Sequence, residues 1–504
     1  MQEYAAPASA HVFDAARECF EAALAWLSGS PAGGLDHGRL ESDLDARGRE
    51  VLRLLFQGHL DLRAVREARR LDVAGAGEAA ARTRVEENHR RGLATVFGGV
   101  TVTRMAYRAP GAVNLHPADA VLNLPEEKHS HGLRRLAAIE SARGSFEAAG
   151  EAIRRVTGTG LGKRQAEQLA RAAAADVDSF YGARRPGSSP QTDVLVLSFD
   201  GKGIVMVPGA LREATAKAAA AGRRKLATRL SPGEKRGRKR MAEIAAVYDA
   251  APVPRTAADI ITPPGHAGDQ PRSRGPAARG KWLTASVTDG IPEVIAAGFG
   301  EAHRRDPGHK RTWIALADGN AQQIEHIQAQ AALRGVDVAI VCDFVHVLEY
   351  LWQAAWCFFY EGDPGAEAWV AAQAGKILHS KAGTVAAAIR RKATANGYSP
   401  AERKNADRCA GYLTSKKPYL DYATALERGW PVATGIIEGA CRHIVKDRMD
   451  ITGARWGLDS AEAILKLRTL ISNGNFDDYW SYHLRQEQHR VHHARYRNGL
   501  GLAA

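Results

Sequence analysis

Three acidic residues, spread over more than two hundred positions, carry the chemistry that this chain could perform. Asp200 closes the apolar run in VLVLSFDGKG, Asp318 closes the one in WIALADGN, and Glu438 stands in GIIEGACRHIVKDRMD. The first two stretches read as buried strands, and the third opens a helix. Two carboxylates at strand ends and one on a neighbouring helix could converge on divalent metal. Such a cluster suits in-line displacement at phosphorus, where two metal ions about 3.5–4 Å apart activate the attacking oxygen and stabilise the leaving one. Mg²⁺ favours this donor set because it is a hard cation held by a few carboxylates plus substrate phosphate. A competing reading makes Asp200 and Asp318 turn residues, since Asp-Gly ends each run and is a common turn pair. Asp343 is a rival second acid, because it also ends an apolar run.

The elements that must position these acids can be read coarsely. Strand candidates are 194–199, 204–207, 282–287, 313–317 and 336–341. The stretch after Asp318 is a helix with Ile324, Ile327 and Ala331 on one face. Residues 347–432 contain no strand pattern and hold aromatic-rich helical stretches, which reads as an all-α insertion. Upstream, 12–90 is helical by pattern. Phe13, Ala16, Phe20, Ala23, Leu24 and Leu27 share one face, and Leu40, Leu44, Val51, Leu52 and Leu55 mark a second segment. Packing of these faces in a core is the default expectation, and pairing between protomers is the second. Residues 95–108 read as a hairpin turning at Gly98-Gly99.

Residues 132–180 read as a helix-turn-helix, with SFEAAGEAIRRV, a TGTGLG break and KRQAEQLARAAAA. The second helix would present Lys163, Arg164, Gln165 and Gln168, types suited to phosphate and base-edge contacts in a major groove. An ordinary helical hairpin is the plainer reading. GARRPGSSP reads as a linker.

The stretches LSFDGKGI, KRMAEIAAVYDAAPVPRT, KWLTASV, ALADGNAQQ, VDVAIVCDFVHVLEYLW, ATGIIEGACRHIVKDRMDITGARW and AEAILKLRTLISNGNFDDYW resemble the DDE transposases of bacterial insertion sequences, specifically the ISKra-type group. The resemblance spans roughly residues 90–496, and its last third is the most specific. It implies an α/β, RNase H-like mixed sheet flanked by helices, with the all-α insertion also found in Mutator-like transposases and a helical, helix-turn-helix region in front. It implies that Asp200, Asp318 and Glu438 bind two Mg²⁺ ions, with Mn²⁺ as a substitute. It pairs Asp343 with His346 in a D-x-x-H signature, the two either hydrogen-bonded to each other or lining a DNA channel together with Arg442, Arg448 and Trp456. On resemblance alone 241–248 becomes a strand, since the alanine-rich MAEIAAVYDA is helical by propensity. The expected organisation is a helical region 1–94, hairpin and helix-turn-helix 95–181, linker 182–190, core 191–346, insertion 347–432, last core part 433–496 and tail 497–504.

Further residues follow from local pattern. Arg442 lies four positions after Glu438 and could pair with it or meet a phosphate. Trp456, near Arg448 in the glycine-flanked TGARWG, is a candidate to stack on an unpaired base, with core packing as its rival. Residues 223–240 hold nine Lys or Arg against one Glu, including Arg236, Arg238, Lys239 and Arg240. These read as phosphate contacts, with Arg272, Arg274, Arg279 and Lys281 as a second cluster; a solvated loop is the alternative.

The 504 residues allow two or three domains, and the net charge of +13 favours a polyanionic partner. Five scattered cysteines without a C-x-x-C pair argue against a zinc module or disulfide framework and suit a reducing cytoplasm. No membrane span, signal peptide or nucleotide-binding loop is expected. The transposase resemblance implies a cytoplasmic, nucleoid-associated protein. The expected partners are double-stranded DNA, as terminal inverted repeats and target, and a second copy or larger synaptic assembly. Two other classes fit the same residues: a domesticated or inactive DNA-binding protein, and an RNase H-like endonuclease that cuts without joining.

Overall fold

The structure, a computed structural model, describes residues 11–187, 189–221, 226, 228–229, 237–262, 273–451 and 453–497. The chain forms two compact units, one of residues 1–182 with 474–504 and one of residues 183–473. The break falls at the head of the expected linker.

The first unit opens with helices Asp14–Ser28 and His37–Arg66, the latter capped by the Asp36 carboxylate on Arg39 N. Their amphipathic faces are present but are not packed as a core. Ala16 and Ala23 are buried, whereas Phe20, Leu24, Leu27, Leu44, Leu52 and Leu55 are exposed. A hairpin follows, β1 (Arg84–Thr95) and β2 (Gly98–Arg108). Its turn is Val96-Phe97 and not Gly98-Gly99, because Thr95 pairs with Gly98 and Thr95 Oγ1 both donates to Gly98 O and accepts from Phe97 N. Gly98 takes φ +118°, which is what requires glycine there. The first strand therefore starts well before residue 95.

Helices His131–Arg143, Phe146–Thr157 and Lys163–Ala173 then pack around Leu133, Ala137, Ile153, Leu161, Ala166 and Leu169. Ser130 and Ser145 cap the first two, and left-handed Gly158 ends the second. Gly150 lets the second helix approach the turn, since a Cβ there would strike the Leu161 carbonyl oxygen. The segment from Gly474 onward, expected in the catalytic region, belongs to this unit. Glu487 pairs with fully buried Arg134 at 2.5 Å, His483 and Arg490 pair with Asp176, and Tyr479 donates to Ala173 O.

The second unit is a five-stranded mixed sheet flanked by helices, ordered β5-β4-β3-β6-β7. Its strands are β3 (Val194–Met206), β4 (Arg238–Ala250), β5 (Ala278–Ser286), β6 (Trp313–Ala317) and β7 (Val338–Cys342). β3, β4 and β5 pair antiparallel, and β3, β6 and β7 pair parallel. β3 merges the two strands expected at 194–199 and 204–207, and its pairing with β4 runs unbroken through Asp200. Asp200 is therefore not a turn residue. β4 is a strand despite its alanines because it is central and Ala242–Ala250 is buried throughout; tertiary context overrides propensity.

Helix Ile291–Arg305 covers one sheet face, where Gly298 admits the Phe199 ring. The other face carries Val194, Val196, Ile314, Leu316 and Val341, which join Phe344, Val347, Leu351 and the helical residues beyond in one core. Residues 347–432 contain no strand, in keeping with the all-α expectation. No described helix is long and apolar enough to cross a membrane.

Candidate active site

The parallel strands explain the spacing of the acids. β3 and β6 pair at a constant offset of 118 residues, Leu195 with Trp313 through Ser198 with Leu316, and 318 − 200 is the same 118. β6 and β7 pair at an offset of 25, and 343 − 318 is the same 25. Asp200, Asp318 and Asp343 thus fall on one line across three neighbouring strands, each strand about 4.8 Å from the next. Alternation puts all three on the face of Val196, Leu316 and Val341.

Glu438 comes to this line from helix Gly435–Ala440, which packs on β3 and β4. The helix passes into a π-helical turn at Cys441–Lys446. This changes which side chains meet: the thiol of Cys441 donates to Asp200 Oδ2 at 3.1 Å. Arg442 is exposed and forms no ion pair with Glu438, because the π turn at Cys441–Lys446 breaks the 3.6-residue repeat behind that expectation. Burial raises the Glu438 pKa, and the negative charges of Asp343 and Asp200 raise it further, against a lowering contact from Thr434.

The two strand-end acids differ in use. Asp318 Oδ1 accepts from Asn320 N at 2.7 Å, an Asx turn that left-handed Gly319 completes, so a turn role coexists with its place on the line. Tyr412 packs on Gly319 and donates to the Asp318 carbonyl oxygen at 3.1 Å. Asp343 is buried and spoken for: it caps helix Phe344–Ala355 through Val345 N and accepts from Thr434 Oγ1 at 2.5 Å. The expected Asp343–His346 pair does not form. His346 Nδ1 instead lies 3.4 Å from Glu349 Oε2, since an N-cap carboxylate turns back on the helix end and away from the N3 side chain.

A fourth acid was missed in the sequence. Glu243 lies opposite Gly201 on β4 and is 9% exposed. Burial raises its pKa, Arg212 opposes this, and Asp200 and Asp318 add to it. The signal available was one acid inside the otherwise uncharged MAEIAAVY.

Among the described residues no three His, Cys, Asp or Glu side chains stand at metal-ligand spacing. In kind the donors fit Mg²⁺ or Mn²⁺, being carboxylate oxygens on one sheet edge and a helix against it. Asp200 is held by the Cys441 thiol and by Gly201 N at 2.7 Å.

Trp456 is a core residue here. It is 5% exposed, its indole N–H donates to Met449 O at 3.0 Å, and its backbone bridges Val205 O and Val207 N at the end of β3. The guanidinium of buried Arg448 lies 4.7 Å from its ring centroid, and burial lowers the Arg448 pKa to about 10.

The basic residues divide similarly. Arg236 and Arg272 lie outside the described residues. Arg238 is exposed at the start of β4. Lys239 pairs with Asp450 at 3.0 Å, and Arg240 donates to the Val287 and Thr288 carbonyls. Arg279 pairs with Asp193. In the first unit, Lys163, Arg164 and Gln168 are exposed at the start of their helix, while Gln165 turns back to accept from Gly162 N.

Compared with known proteins, the chain matches no family model, and a search of curated proteins gives no match.

Proposed function

We propose that this chain is a DNA transposase of a bacterial insertion sequence, of the ISKra type and with an RNase H-like core, acting by a DDE reaction at Asp200, Asp318 and Glu438. One observation carries the reading: the 118-residue separation of Asp200 and Asp318 equals the pairing offset of β3 and β6, which brings the two acids to one register position. The mixed sheet with helices on both faces and the all-α stretch before Glu438 support the RNase H-like assignment.

Asp200, Asp318 and Glu438 would hold divalent Mg²⁺ or Mn²⁺. When bound, the cation supplies Lewis-acid activation of water and stabilises the departing oxygen. Cys441 fixes the rotamer of Asp200. Thr434 spans Asp343 and Glu438, at 2.5 and 3.5 Å, and so ties the Glu438 helix to the end of β7. Hydrolysis at the element end gives a 3′-hydroxyl, which then displaces a 3′-oxygen in target DNA.

Exposed Lys163, Arg164 and Gln168 support recognition of terminal repeats by the first unit. Holding two ends together calls for a second copy. The exposed Phe20, Leu24, Leu27, Leu44, Leu52 and Leu55 support a dimer through the first two helices.

The test is a gel assay with Mg²⁺ and DNA carrying the ends that flank the gene. Asp200→Asn should abolish cleavage and joining while retaining end binding, which rests on phosphate contacts elsewhere. Cleavage by this variant near the parent rate would refute the assignment.

A further inference from the structure

Lys202 is a half-buried cation two residues beyond Asp200 on β3. Among the described residues its ammonium makes no hydrogen bond and no ion pair, with Asp200 and Glu438 included. Alternation along the strand puts it on the face of Asp200, and opposite it on β4 stands Ala242, whose side chain offers no acceptor. Neighbouring cations on β4 are already engaged. Lys239 pairs with Asp450, and Arg240 donates to the Val287 and Thr288 carbonyls. The Lys202 charge is therefore left for another anion.

Its position indicates which anion. β6 ends at Ala317, so β3 has no strand on that edge from Asp200 until Val205 O accepts from Trp456 N. Asp200 stands at one end of this gap and Lys202 inside it, with about 7 Å of extended strand between them. Lys202 acts electrostatically on the same spot. Burial raises the Cys441 thiol pKa, its neighbour Asp200 adds to this, and Lys202 opposes both. A DNA strand brought to Asp200, Asp318 and Glu438 meets several like charges, and an unpaired ammonium at this distance offsets that repulsion. Lysine, as a compact point charge with three donors, suits a phosphate oxygen.

We propose that Lys202 is a substrate-binding residue of the acid site and donates to a DNA backbone phosphate adjoining the one that is cut. This rests on the transposase reading given above for the same site. The ammonium transfers no proton and makes no bond to phosphorus; it holds the strand in place along the open edge of β3. A phosphate contact carries no sequence information, so Lys202 acts on the rate of cutting and not on the choice of element end.

The test is single-turnover cleavage of end DNA by the full-length protein, with a neutral methylphosphonate placed in turn at each phosphate flanking the cut. Lys202→Met should cut about tenfold or more slowly than the parent, with an unchanged melting temperature. Lys202→Arg, which keeps the charge, should stay closer to the parent. The parent should lose a similar factor at one methylphosphonate position, and Lys202→Met should lose nothing further there. Lys202→Gln decides the matter in the same way if Lys202→Met does not fold. Parent-like cutting by the folded variant, or losses that multiply with the methylphosphonate at every position, would remove the contact and leave the transposase reading standing. A parent protein that cuts no end DNA would overturn both.

Discussion

Cys441 donates its thiol hydrogen to Asp200 Oδ2 across 3.1 Å, although 241 residues separate them. The contact exists because a π-helical turn begins at Cys441, and burial holds the thiol protonated by raising its pKa. Cys441→Ser keeps a donor and should stay near the parent in cleavage. Cys441→Ala should lose about tenfold in cleavage with DNA affinity unchanged. Equal cleavage by both variants would show that the thiol has no positioning role.

Trp456→Ala should destabilise the protein by about 3–5 kcal/mol, the cost of emptying a large aromatic site in a core. Denaturant unfolding measures this. Unpaired bases beside the cut site should give no rescue of activity, because the ring packs under Arg448 and its N–H is committed to Met449 O.

Asp249 is buried between two guanidiniums, at 2.6 Å from Arg311 and 3.0 Å from Arg305, and Arg305 also pairs with Glu301. Removing one member strands the others in low dielectric. Asp249→Ala should cost about 3–5 kcal/mol, read as a fall in the denaturant midpoint, with the second unit melting first.

The Glu243 carboxyl has a folded-state pKa above its ordinary value, so the folded protein binds the extra proton in the window between the two. Stability in EDTA should fall as pH rises through that window and be recovered below the ordinary carboxylate range. Glu243→Gln should therefore melt higher than the parent at neutral pH without metal, and the gap should close on acidification. A gap independent of pH would assign the effect to packing.

In the first unit, Arg164→Ala and Gln168→Ala should each relax base preference by about 1–3 kcal/mol if the contact is bidentate. Gln165→Ala should instead loosen the helix start, since its amide oxygen caps Gly162 N. Binding to specific and random duplexes at fixed salt separates these outcomes. Equal loss on both duplexes would make Arg164 a phosphate contact.

The strands bearing Asp200 and Asp318 were legible because each acid ends a continuous apolar run, the mark of a strand buried on both faces. Their common register was present as the number 118, but it becomes a distance only once β3 and β6 are known to be parallel neighbours. β4 was invisible to propensity, since alanine favours helix and only burial between two strands reverses that. The hairpin turn was misplaced because Gly98 supplies the positive φ just after the turn and not within it. Periodicity found the apolar faces of the first two helices, but a repeat cannot say what covers a face. For Trp456 the sequence left stacking and core packing open, because only the pairing of its backbone with the end of β3 decides for the core. Glu243 depended on a cross-strand neighbour forty-two positions away, Gly201, and no local pattern carries that pairing.

The tail's return to the first unit sets an order of events during synthesis. Arg134 is fully buried against Glu487, and Asp176 is held by His483 and Arg490. When residues 11–182 leave the ribosome those partners do not yet exist, and the whole second unit must be made before they do. A chain terminated before residue 474 would still carry Asp200, Glu243, Asp318, Asp343 and Glu438. It would also leave a buried guanidinium without its carboxylate in the unit proposed to recognise DNA. Prematurely ended copies would thus be handicapped in finding an element end, which couples completion of the polypeptide to competence for recombination.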